Sequence, residues 1–324
     1  MLSFKQAFLE VEKFIAEADF SGNPTELYDP ISYSMNLGGK RVRPATLLMV
    51  ADIFEANKLD ALHAAMGVEV FHNFTLVHDD IMDEAPLRRG QDTVYKKWNR
   101  DIAILSGDVM FVKAVDYFLK LQPAEKMGRV LRVFNKTAAE VCDGQQMDMN
   151  FETTEEVSIP QYLRMIELKT AVLLAASLKI GAIIGKASDE DADNIYEFGK
   201  NVGIAFQLQD DYLDAYADPR SFGKRVGGDI IANKKTYLLL EAMNLANEEQ
   251  KLELKSCLDG ELSDDDKVNR VKAVYDQLKI PQLSQLKMKT YFDRGMEALA
   301  KVNVAQEKKQ PLMDIAEELM YRNI

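Results

Sequence analysis

DALHAAMGVEVFHNFTLVHDDIMD, residues 60–83, decides the fold. Asp60 is a candidate N-cap, the apolar stretch from Ala61 runs on to about Asp83, and Pro86 stops it. The segment therefore predicts one long helix that ends in acid. Residues four apart on a helix share a face, with Cβ atoms roughly 5–6 Å apart. Asp79 and Asp83 thus present two carboxylates to one point. The same D-D-x-x-D form recurs at Asp210-Asp211-Tyr212-Leu213-Asp214, again after an apolar run, Ile204-Ala205-Phe206. Neither string contains a Lys or Arg. Clustered like charges cost free energy, and an external cation such as Mg²⁺ is the obvious compensation. Two such strings, each toward the C-terminal end of a long helix, predict a two-sided metal site in a helical protein.

Helical periodicity extends in both directions. Phe4, Phe8, Val11, Phe14 and Ile15 mark an amphipathic face near the N-terminus. Comparable stretches cover about 97–120, 124–150, 161–185, 190–217, 235–246, 265–278, 282–302 and 311–322. The nine prolines fall at or near these boundaries, which suits a residue that is costly inside a helix. Ser263-Asp264-Asp265-Asp266 has the acidic composition of a helix N-terminus. With no extended period-2 pattern and no Gly/Ser-rich linker, residues 1–324 are expected to form one all-α domain, a bundle of ten or more helices.

The composition is that of a globular protein, 47% hydrophobic and 28% charged. A net charge of −12 argues against nucleic-acid binding, which draws on a basic surface. Cys142 and Cys257 are too few and too far apart for a disulfide framework and are expected to be buried free thiols. Met1-Leu2-Ser3-Phe4-Lys5-Gln6 lacks the pattern of a signal peptide, and no run reaches the roughly 18–20 apolar residues of a membrane span. A cytoplasmic protein without a transmembrane segment is expected.

Against the acidic background stand local groups of cations. Gly38-Gly39-Lys40-Arg41-Val42-Arg43-Pro44 places three of them in a glycine-flanked turn, where backbone can approach a ligand closely. Arg88-Arg89-Gly90 follows the first acidic string, and Lys169-Thr170, Lys224-Arg225 and Asn233-Lys234-Lys235-Thr236 lie on either side of the second. Each alone reads as a solvated loop or an ordinary surface group. Cations near both acidic strings together suggest diphosphate recognition, with metal on one side and basic side chains on the other. His72, seven positions before Asp79, falls on roughly the same face; on spacing alone it reads as a core or surface histidine.

In order, GGKRVRP, DDIMD with LRRG, GQQMD, LKT, FQLQDDYLD, GKRVGGD and NKKT resemble the trans-isoprenyl diphosphate synthases, the polyprenyl synthetase family, over about residues 36–240. The resemblance implies a helical fold around a central cavity, Mg²⁺ dependence with three ions, and usually a homodimer. It implies that Lys40, Arg43, His72 and Arg89 bind the diphosphate of isopentenyl diphosphate and that Arg88 contacts an allylic diphosphate. Asp79 and Asp83 match ligands for two Mg²⁺ ions and Asp210 a ligand for a third. Asp148 matches a further carboxylate at the allylic site, where Lys169, Lys224 and Lys234 are contacts, and Thr170 and Gln207 match polar groups at the reacting centre. Many members read G-K-x-T-x-P where this chain has Asn233-Lys234-Lys235-Thr236-Tyr237-Leu238, which puts the local geometry of Lys234 in question. The C-terminal Arg322 is a weaker match for a residue that covers the site.

The reaction implied is ionisation of an allylic diphosphate and attack by the double bond of isopentenyl diphosphate. No residue stands out as a general base, and in the family the released pyrophosphate takes the proton. Members use bulky side chains upstream of the first aspartate as a floor that stops growth. Phe74, Thr75 and Phe71, five, four and eight positions before Asp79, predict a short product, C15 or C20; ordinary core packing is the alternative for both rings. The other readings are a longer-chain synthase, a terpene cyclase or head-to-head synthase, disfavoured by the complete basic set, and a non-catalytic subunit, disfavoured by two intact acidic strings.

Overall fold

Asn57, not Asp60, caps the decisive helix. Its side-chain oxygen accepts from the backbone N–H of Leu59 (2.9 Å) and Asp60 (3.2 Å), so the helix runs Lys58–Met82. A computed structural model describes residues 1–217 and 226–321. Among these residues the chain is all-α apart from one two-residue hairpin, Leu87–Arg88 with Gln91–Asp92. They fall into two compact units: segments 1–135, 176–193 and 303–312 form the first, and 136–175, 194–302 and 313–324 the second.

In the first unit the Lys58–Met82 helix packs most extensively against Arg100–Phe118 and next against Val42–Ile53, which Phe4–Ala16 covers. Val42–Ile53 escapes a periodicity search because nearly its whole circumference is buried, and a helix that is apolar all round has no stripe to detect. Pro30 and Pro311 correct the boundary reading. They lie inside the helices Thr25–Asn36 and Gln306–Tyr321. Each occupies the second turn, so the hydrogen bond it forfeits belongs to the weakly held N-terminal end.

The second unit contains the Ile159–Ile166 helix, a π-helical turn Glu167–Ala171, most of Asp189–Tyr216, and the helices Tyr237–Leu245, Glu248–Asp259, Asp264–Gln277 and Ile280–Lys301. Ser263 caps Asp264–Gln277 as its composition predicted. Leu238, Ala242, Leu254, Cys257, Val274, Tyr275 and Ile280 share one buried core there. The cysteines divide: both are free, but only Cys257 is buried, and Cys142 is exposed. No helix among the described residues is long and apolar enough to cross a membrane.

Candidate active site

Within the first unit, the end of the Lys58–Met82 helix gathers charge of both signs. The Asp83 N–H still donates to the Asp79 carbonyl (2.8 Å), so the two residues keep helical spacing, Asp79 half-buried and Asp83 exposed. A helix C-terminus carries partial negative charge, which makes two carboxylates there doubly unfavourable without a cation. The middle aspartate behaves differently. Asp80 is buried and takes Arg88 in a two-pronged pair, Nη2 to Oδ1 at 2.7 Å and Nε to Oδ2 at 2.9 Å. Burial raises the Asp80 pKa, and Arg88 opposes that shift. Removing Arg88 would leave a buried carboxylate uncompensated, at about 3–5 kcal/mol.

The hairpin aims the two arginines apart. Arg89 and Gly90 both have positive φ (53° and 76°), the requirement of a tight two-residue hairpin loop. Arg88 thus sits in the strand facing Asp80, while Arg89 reaches the glycine-rich turn and donates from Nη1 to the Gly38 carbonyl. Gly39 has φ +146°, a backbone conformation that L side chains rarely adopt, so the turn that meets Arg89 favours glycine there.

The three cations of the glycine-rich turn have different fates. Arg41 points inward: Nε meets Glu12 (2.7 Å), Nη1 meets Glu69 (2.5 Å) and Nη2 donates to the Met35 carbonyl (2.7 Å). It is a structural ion pair. Lys40 stays exposed. Arg43 is half-buried and donates from Nη1 to His72 Nε2 (3.2 Å), while its buried Nε has no hydrogen-bond partner among the described residues. Burial lowers the Arg43 pKa. Burial, then Arg43, Arg89, Arg88 and Arg41 in that order, push His72 well below its ordinary 6.5, so the ring is neutral at neutral pH. His72 is half-buried, with its ring nitrogen beside Arg43. Arg43 and Arg89 flank the neutral His72, and the acids that act on them, Glu69 and Asp80, are already paired with Arg41 and Arg88, which leaves a cationic group that suits a multiply charged anion.

Upstream of Asp79, Phe74 and Phe71 join a ring cluster. Phe71 is fully buried, with ring centroids at 5.5 Å from Phe74, 5.8 Å from Phe111 and 5.1 Å from Phe134. Phe74, half-buried, also meets Phe111 (5.5 Å) and His78 (4.7 Å), and Phe118 backs Phe134 (4.8 Å). Thr75 turns its hydroxyl back to the His72 carbonyl (2.8 Å).

In the second unit the π-turn Glu167–Ala171 carries Lys169 and Thr170. Gly144, the first residue of GQQMD, lets two backbones touch: a Cβ there would sit 2.3 Å from the Lys169 nitrogen. One helical stretch beyond that contact, Asp148 pairs with Lys169 at 2.6 Å. Thr170 Oγ1 donates to Gln207 Oε1 (3.2 Å), and Gln207 Nε2 donates to Asp211 Oδ1 (3.1 Å). Tyr162 donates its hydroxyl to Asp211 Oδ2. Burial and then Asp229 raise Asp211 to about 7, against hydrogen bonds from Tyr162 and Gln207. Asp214 accepts the Asp229 N–H (2.9 Å), and Asp210 is half-buried.

Asn233 answers the departure from G-K-x-T-x-P. Its φ is +55°, the left-handed conformation glycine would take and asparagine tolerates. Its side chain donates to the Leu258 carbonyl (3.1 Å) and accepts from Lys267 Nζ (2.5 Å), which fixes the loop that presents the exposed Lys234. Lys224 and Arg322 lie outside the described residues.

Sequence reasoning missed Asp80, Asp211, Tyr162, Phe111 and Phe134. The first two had a signal. In D-D-x-x-D the first and last residues share a face, so the second turns about 100° away and, in an apolar helix, inward. Among the described residues no group of three or more His, Cys, Asp or Glu side chains forms a complete metal cage. The donor set does suit Mg²⁺, a hard cation commonly held by one or two carboxylates with substrate phosphates and water completing the shell.

Fold and side chains together define an all-α protein with two aspartate-rich helix ends and grouped cations, of the isoprenoid synthase type. The polyprenyl synthetase family model matches residues 24–278, and the chain belongs to that family. It is similar to the geranylgeranyl diphosphate synthase of Methanosarcina mazei, 45% identical over 222 residues that cover 68% of each chain. It is also similar to the geranylfarnesyl diphosphate synthase of Natronomonas pharaonis, 34% identical over 93% of this chain and 91% of the other. A crystal structure of a geranylgeranyl pyrophosphate synthase matches with TM-score 0.92 at 42% identity, covering 100% of both chains. The chain is a transferase of the trans-prenyl diphosphate synthase kind.

Proposed function

We propose that this enzyme condenses isopentenyl diphosphate head-to-tail with an allylic diphosphate, in a Mg²⁺-dependent reaction, to give a C20 trans product. The observation that carries the reading is the Arg43–His72–Arg89 group, with a buried Arg43 Nε that has no hydrogen-bond partner among the described residues. Such an arrangement waits for a polyanion. Lys40, Arg43, His72 and Arg89 hold isopentenyl diphosphate; Arg88, oriented by Asp80, together with Lys169, Lys224 and Lys234, holds the allylic diphosphate beside Asp148. Asp79, Asp83 and Asp210 would hold the three Mg²⁺ ions. When bound, Mg²⁺ supplies Lewis-acid stabilisation of the leaving diphosphate.

The allylic C–O bond breaks with its electron pair leaving on pyrophosphate. The π-bond of isopentenyl diphosphate forms the new C–C bond, and released pyrophosphate takes the proton lost from the adduct. Thr170 and Gln207 offer oxygen to the developing cation, and apolar walls keep out water that would trap it. Phe74 and Phe71, backed by Phe111 and Phe134, stop growth. Relatives that carry the geranylgeranyl name support C20 over C15, and the geranylfarnesyl relative makes C25 the second reading.

A cytoplasmic homodimer without nucleic-acid or membrane partners is part of the proposal. Exposed Leu105, Val112 and Leu119, spaced by sevens along Arg100–Phe118 and its end, line up on one helix face and support self-association. Incubation with Mg²⁺, isopentenyl diphosphate and allylic diphosphates of increasing length, followed by product chromatography, tests the reading. C20 diphosphate is expected, and failure to consume isopentenyl diphosphate with any primer would overturn it in favour of a non-catalytic subunit.

A further inference from the structure

Gln207 has a choice that its own chemistry cannot make. A carboxamide has a donor end and an acceptor end of nearly equal size, and a half-turn about its last torsion exchanges them. In this chain the exchange is blocked from one side. Asp211 accepts at both oxygens in this geometry: Oδ2 from the Tyr162 hydroxyl and Oδ1 from Gln207 Nε2 at 3.1 Å. The opposite end, Oε1, is then turned to the Thr170 hydroxyl at 3.2 Å. Asp211 is held in turn, because Tyr162 donates to its other oxygen. Tyr162 is 2% exposed and Asp211 7%, so water does not offer either an easy substitute. Tyr162 comes from a short helix anchored by a reciprocal Ser158–Gln161 cap, Asp211 and Gln207 from successive turns of another helix, and Thr170 from the π-turn.

We propose that Tyr162 and Asp211 are positioning residues that lock the Gln207 carboxamide with its oxygen on the Thr170 side. The inference rests on the reading that Thr170 and Gln207 face the developing allylic cation. With the lock in place, the cation meets the negative ends of two dipoles. With the amide reversed, it meets N–H groups, whose positive ends oppose ionisation. The cation exists only near the transition state, so the lock acts on kcat and leaves the binding of both diphosphates alone.

Three variants, all assayed at pH 8, test it. Asp211→Leu removes the acceptor and lowers kcat by about 10- to 100-fold, in the range of losing preorganised dipoles, with both KM values within about twofold. Tyr162→Phe frees Asp211 and lowers kcat by roughly 5- to 10-fold in the same manner. Asp211→Asn keeps an acceptor for Gln207, and its NH₂ can donate to the Tyr162 oxygen, so kcat stays within about threefold of the parent. A fall in Asp211→Asn as deep as in Asp211→Leu overturns the proposal, because charge rather than orientation then matters. Unchanged kcat in Tyr162→Phe, or a rise in KM without a fall in kcat, overturns it too. Thermal unfolding checks each fold. If Asp211→Leu does not fold, the other two decide: Tyr162→Phe below Asp211→Asn supports the lock, and equality rejects it. Inactivity of the unaltered enzyme with every primer rejects instead the prenyl-transfer reading beneath it.

Discussion

Phe74→Ala is expected to lengthen the product by one unit, and the ring cluster supplies the amount. Phe74 is half-buried, while Phe71, with centroids 5.5 Å from Phe74 and 5.1 Å from Phe134, is fully enclosed. Deleting one phenyl ring frees space comparable to a cavity of about 150 Å³, enough for benzene and so for a five-carbon unit. A second unit would meet Phe71, Phe111 and Phe134 directly behind. The single variant should therefore shift the main product from C20 to C25 and no further, and Phe71→Ala/Phe74→Ala should reach C30. Phe71→Ala alone should change length little, because Phe74 still stands in front. The stability costs run in the opposite order: about 3–5 kcal/mol for the fully buried Phe71, and at or below the low end of that range for Phe74. Chromatography of dephosphorylated products, beside thermal unfolding of each variant, measures both. An unchanged product distribution in folded Phe74→Ala, or equal lengthening by Phe71→Ala alone, would refute the floor.

Asp79→Ala and Asp210→Ala should each lower turnover by about 10³-fold. Near-normal turnover of either variant would remove the metal reading. Chelation with EDTA should abolish activity and added Mg²⁺ restore it; persistence in excess chelator contradicts this. His72 has a lowered folded-state pKa, so the unfolded chain binds a proton that the folded chain does not as pH falls through about 6.5. Its stabilisation is present above that pH and lost below it, and the Tm of the parent should fall more steeply from pH 7 to 5 than that of His72→Gln; parallel slopes would show that His72 does not contribute. Lys267→Met should raise KM for the allylic diphosphate by up to roughly tenfold, the worth of one hydrogen bond from a charged group, and leave that for isopentenyl diphosphate unchanged. An equal rise in both would mean general loosening.

The long helices were legible because a repeated apolar stripe needs only local geometry. Val42–Ile53, buried nearly all round, and the Pro30-containing helix were not, since neither shows the stripe or the boundary that local rules seek. The π-turn at Glu167–Ala171 leaves no local mark either; the close passage of Gly144 accompanies it.

The amino-acid order alone determined an all-α chain, two aspartate pairs on helix faces, and the cations that accompany them. Spacing fixes which residues share a face, because the helical repeat is the same in every context. The tertiary structure decided which of those residues are available. Arg41 and Arg43 are two positions apart, yet Glu12 and Glu69 take Arg41 into the interior, while Arg43 Nε has no hydrogen-bond partner among the described residues. Asp210 and Asp211 are adjacent, yet Tyr162 and Gln207 engage Asp211. Phe111 and Phe134 come from other helices, Phe111 to pack on both Phe71 and Phe74 and Phe134 to pack on Phe71. Burial and pairing depend on partners distant in sequence, so identical residue types in one motif become structural or reactive only when the fold brings those partners in.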